Sequence, residues 1–104
     1  MDTPRTAIER TWYAVAPNGL GEGLVTIGVE VPRQQSSGDW GVRVSLGGLE
    51  PDPAGPIFGI DGWQAVSLGM KFVAARLVDF ADRGWRFYWS QDGELADLES
   101  LRDG

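Results

Sequence analysis

The chain has 104 residues, 42 % of them apolar and 23 % charged, which suits one globular domain over residues 1–104 with a single core. It contains neither cysteine nor histidine, so it excludes disulfides, thiol nucleophiles, imidazole bases and zinc sites of the Cys/His kind. The net charge is −6, a field that repels phosphate backbones and anionic lipid and argues against nucleic-acid and membrane partners.

Taken in chain order, Thr6–Val15 alternates as a strand, with Ile8, Trp12 and Ala14 on one face and Ala7, Thr11, Tyr13 and Val15 on the other. Pro17-Asn18-Gly19 breaks it, and Asn-Gly is a strong hairpin signal. Leu24–Val31 puts Val25, Ile27, Val29 and Val31 on one side, a half-buried strand that Pro32 ends. Arg33–Gly38 reads as a polar loop. Trp40–Leu46 is a third strand, with Trp40, Val42, Val44 and Leu46 inward. Short turns between the three imply an antiparallel meander with one wet face. Gly47–Pro56 holds three prolines and three glycines, so regular structure there is short at best. Ile57–Ile60 adds a short extended lead into a helix.

That helix, Gly62–Asp82, is the clearest element. Asp61 is a good N-cap, and Gln64 three residues later completes a capping-box pattern. Val66, Met70, Val73, Leu77 and Phe80 fall in one stripe at about 100° per residue, widened by Trp63, Gly69 and Ala81. Gly84 is placed for a left-handed C′ position, with Trp85 reaching back to Phe80. Trp85–Trp89 is a last strand with Trp85, Phe87 and Trp89 on one face. Ser90–Gly93 is a turn. Leu95, Leu98 and Leu101 then recur at spacing three, compatible with a short C-terminal helix or with a polar tail docked by its leucine edge. The expected fold class is therefore α+β: an antiparallel sheet of about four strands in β-β-β-α-β order, with one long helix packed on one face.

Few motifs carry chemistry. The run Gly19-Leu20-Gly21-Glu22-Gly23 has the glycines of a phosphate loop, but it opens a strand rather than a helix, and Glu22 would repel phosphate. Ser67 and Lys71 are spaced four apart, whereas a serine–lysine nucleophile pair needs three. The acid pairs Glu50/Asp52 and Asp92/Glu94 lack a calcium-loop frame and read as solvated. No catalytic residue, metal or cofactor is expected. The five tryptophans fall at inward positions and read as core, with Trp89 the exception near an edge.

One feature stands above that background. Leu68 and Phe72 lie away from the main helix stripe, at the azimuth that also carries Asp79. Either the Leu95/Leu98/Leu101 segment covers them, or they form a contact surface. From Asp79 to the end there are seven acids against three bases, a concentration that would attract a basic protein.

The run Phe58-Gly59-Ile60-Asp61-Gly62-Trp63-Gln64-Ala65-Val66-Ser67-Leu68-Gly69-Met70 resembles a family of small bacterial domains of unknown function. That family has an aromatic-Gly-Val/Ile-Asp-x-x-Gln-Ala signature at the start of its one long helix. Trp40–Val44 and Gly48-Leu49 match a preceding strand and a Gly-Leu step of the same family. The resemblance implies a bacterial cytoplasmic protein and no activity. Asp2, Arg5, Glu9 and Arg10 leave no signal-peptide core in residues 1–20, and no apolar run reaches the ~18 residues of a membrane span. The expectation is thus a cytoplasmic, non-catalytic interaction module, as a homodimer or with a basic protein partner. The alternatives are an acidic immunity- or antitoxin-like inhibitor of a basic toxin, or a small-molecule-binding domain using exposed tryptophans. The candidate surface is Leu68, Phe72, Asp79, Trp89, Asp92 and Glu94.

Overall fold

The computed structural model describes residues 6–50 and 54–96. Its elements are β1 (Thr6–Val15), a 3-10 turn (Pro17–Gly19), β2 (Glu22–Glu30), β3 (Arg33–Gln34), β4 (Trp40–Gly47), β5 (Ala54–Gly59), α1 (Gly62–Asp82) and β6 (Arg86–Tyr88). All strand pairs are antiparallel: β1 lies between β2 and β6, β2 also pairs with β4, and β3 and β5 both pair with β4. Trp40 faces Gln34 of β3 and Gly59 of β5, so those two strands flank β4 on opposite edges and β5 forms one rim of the sheet.

Among the described residues the sheet has six strands where about four were expected. The two extra pieces lie in stretches that composition marks as irregular. β3 is two residues inside the polar loop, held opposite β4 by a turn in which Gln35 N–H donates to Asp39 O at 2.7 Å and Gly38 N–H to Gln35 O at 2.9 Å. β5 runs through Gly55 and Pro56. A proline without an N–H is tolerated in a strand on the rim, where one row of donors has no ladder to complete. The first hairpin turns as Asn-Gly dictates: Asn18 and Gly19 both adopt positive φ, at 58° and 69°.

Both helix ends follow their sequence signals. Asp61 Oδ1 accepts from the Gln64 backbone N–H at 2.8 Å, and Gln64 Oε1 accepts from the Ile60 N–H at 2.8 Å. The reciprocal bond thus reaches one residue further back than in the usual capping box. At the other end Gly84, at φ 106°, donates to Ala81 O and Trp85 donates to Phe80 O, which is a Schellman pattern. Its apolar contact is the Trp85–Phe80 ring pair, with centroids 5.9 Å apart.

The face that α1 buries is rotated from the stripe of large side chains. Ala65, Gly69, Val73, Ala74, Leu77 and Phe80 are buried, whereas Val66 is half-buried and Met70 is exposed. The cause is close approach. A Cβ on Gly59 would lie 2.5 Å from the Ala65 backbone nitrogen, and one on Gly69 would lie 3.0 Å from Val42 Cγ2. The helix therefore rests on its smallest residues, against β5 and β4. Trp12, Val25, Ile27, Val29, Val42, Val44, Leu46 and Phe87 supply the opposing layer. Full burial of a side chain such as Leu77 is worth about 1.5–3 kcal/mol. Leu95 bridges to Tyr88 and Ala96 N–H donates to Phe87 O at 2.7 Å, so the chain is extended there and a terminal helix does not start at Glu94. Leu98 and Leu101 lie outside the described residues.

Candidate interaction surface

The helix wheel, fixed by its contacts, divides the surface around α1 into two flanks. Ala65 meets Gly59 of β5, and Gly69 meets Val42 and Val44 of β4 together with Val29 of β2. Going round the helix in that direction leads to Val73, Ala74 and Met70, which face Ile8 and Val29. Going the other way leads past Ala65 to Phe72 and Leu68, about 20° and 60° further out. These two side chains therefore stand over the rim strand β5. Each is 37 % exposed. Leu95 does not cover them, because its bridge to Tyr88 puts it beyond β6, at the opposite side of the sheet.

The same flank is clamped by ions. Arg76 Nε and Nη2 both donate to Glu50 Oε1, at 2.9 and 2.8 Å, and Arg76 Nη1 lies 3.9 Å from Asp79 Oδ2. Asp79 thus belongs with Leu68 and Phe72, as its azimuth predicts, and Glu50 is an ion-pair partner rather than a free loop acid. Beside them β5 carries no charged residue in Ala54–Gly59, and among the described residues its outer edge has no strand partner. Phe58 and Ile60 are exposed at the end of that edge.

The remaining candidates, Trp89, Asp92 and Glu94, lie beyond β6 and do not join this surface. Trp89 is 47 % exposed and packs edge-on against the buried Trp12 at 5.9 Å. Glu94 contributes its carbonyl to the Trp89 N–H at 3.0 Å. Asp92 is felt on the outer face of the sheet. There the Tyr13 hydroxyl donates to the Glu22 carboxylate, and that bond holds the phenol above its usual range, with smaller contributions from desolvation and from the charges of Glu22 and Asp92.

Two features escaped sequence reasoning. Trp63, expected to widen the buried stripe, is 87 % exposed in the first turn of α1. Arg10 sits at an inward position of β1, between Ile8 and Trp12, with its guanidinium 5.8 Å from the Trp12 ring centre and 5.3 Å from that of Trp89. The signal was a lone cation on the apolar face of an alternating strand. Among the described residues no three acidic side chains converge as a metal site, and no helix is long and apolar enough to cross a membrane.

A family model described as a domain of unknown function, DUF6968, matches residues 9–98. The chain belongs to this family. No curated protein and no solved structure matches it. The DUF6968 match spans every element that builds the surface: β5, α1 and the Arg76–Glu50 clamp, together with Leu68, Phe72 and Asp79.

Proposed function

We propose that the protein is a non-catalytic interaction module that pairs with a second copy of itself along the rim strand β5 and the helix flank above it. The observation that carries this reading is the placement of Leu68 and Phe72 over a rim strand whose outer edge, among the described residues, has no partner. An open edge is a template for pairing, and natural sheets usually blunt it with charges or with a covering segment. The far side of this sheet has such a segment, in which Leu95 and Ala96 pair beside β6. Among the described residues β5 has neither, apart from Pro56. A two-fold axis beside β5 would bring the same patch of each copy together, adding backbone bonds to the apolar contact of Leu68 and Phe72.

Sedimentation velocity on the full chain tests this. The wild type is expected to sediment as a dimer at submillimolar concentration. Phe72→Glu should give a monomer with an unchanged circular dichroism spectrum, because the side chain is already partly exposed. A wild type that stays monomeric throughout that range removes the proposal.

A further inference from the structure

On the opposite flank α1 does not reach across to β1, and a groove of about 330 Å³ remains between them. Ile8, Ile27 and Val29 form its floor, and Met70, Val73 and Ala74 its wall. This lining is apolar, and the volume is at the small end of ligand sites. Arg10 closes one end. Its neighbour Glu9 also borders the groove, but strand alternation turns the Glu9 side chain to the other face of the sheet.

The position of Arg10 decides which ligand fits. An arginine beside an apolar groove in a chain of net charge −6 has many carboxylates to choose from, yet none lies within ion-pair distance of it among the described residues. Instead the guanidinium rests on the rings of Trp12 and Trp89. Stacking of this kind holds the planar group in place while leaving its N–H donors available for bidentate contact with a carboxylate. Trp12 is itself fixed by burial, and Phe87 packs against it at 6.0 Å. A pre-positioned cation next to an apolar channel is complementary to a small amphipathic carboxylate.

We infer that the groove between α1 and β1 binds a small monocarboxylate with a hydrocarbon tail, its head group on Arg10 and its tail along Ile27, Val29 and Met70. A volume of about 330 Å³, at the small end of ligand sites, suits a medium-chain fatty acid rather than a long one. The site is independent of the dimer contact, which uses the other flank.

Isothermal calorimetry of the full chain with decanoate, kept below the concentration at which it self-associates, tests the inference. Saturable one-to-one binding is expected, and decanol, which has the tail without the charge, should bind at least ~10-fold more weakly. Arg10→Gln should weaken decanoate binding by a similar factor, with Arg10→Lys in between. Because Arg10 also packs on Trp12, a second variant leaves Arg10 itself in place: Ile8→Asp puts a competing carboxylate in the groove and should abolish binding while circular dichroism still shows a folded chain. Absent binding, binding that decanol matches, or binding indifferent to both Arg10→Gln and Ile8→Asp would overturn the inference. A leucine-ended peptide that displaces decanoate at lower concentration would assign the groove to a protein C-terminus and overturn it as well.

Discussion

The two flanks of α1 are built differently. On the β5 side the helix is seated: Ala65 lies against Gly59, Gly69 against Val42, and Arg76 reaches Glu50 with two donors to one oxygen. On the β1 side it stands off, and Met70 borders a groove rather than a neighbour. The helix is thus centred on β4 and β5 instead of on the middle of the sheet. The inner faces of β1 and β6 are covered largely by their own aromatics, Trp12, Phe87, Trp89 and Trp85, in edge-on, tilted and stacked pairs. The difference teaches that small residues decide where a helix lands, and large ones then fill what is left.

Substitutions that break this asymmetry should rank accordingly. Gly59→Ala should cost the most, about 2–3 kcal/mol, because its new methyl group would meet the Ala65 backbone at 2.5 Å and the seated flank must lift. For a domain of this size that is a fall in melting temperature of roughly 10–20 °C. Glu50→Gln, which discharges the partly exposed clamp, should cost about 0.5–1 kcal/mol in urea unfolding and less at high salt. Met70→Ala, on the open flank, should cost the least, about 0.5 kcal/mol or under, because the side chain is already 41 % exposed. If Met70→Ala proved costlier than Gly59→Ala, the helix would be seated the other way round.

The helix limits were legible because their signals are local. Asp61 with Gln64, and Gly84 with Trp85, each specify a bond within a few residues of themselves. β1, β2 and β4 were legible for the same reason, since strict alternation needs no knowledge of the partner strand. The roll of the helix was not legible. Of the stripe Val66, Met70, Val73, Leu77 and Phe80, the last three are buried as expected, but at its first turns the contact is set by Ala65 and Gly69, which carry almost no hydrophobic signal. The second half of β5 falls in the extended lead expected from Ile57, but its first half was hidden by Gly55 and Pro56, which are acceptable only because the strand lies on a rim. The surface was half legible: Leu68, Phe72 and Asp79 group as their azimuth predicts, but Trp89, Asp92 and Glu94 lie past β6. Arg10 could not be assigned to Trp89 from the chain alone, because the pair is joined only when β6 docks on β1.

Hydrogen exchange resolved to single amides, measured at increasing protein concentration, tests the central asymmetry most directly. The β5 amides that do not pair with β4 should exchange more slowly as concentration rises. Amides beyond β6, such as those of Trp89 and Ala96, should keep one rate throughout. Protection that fails to grow in β5, or that grows beyond β6 instead, would contradict the account.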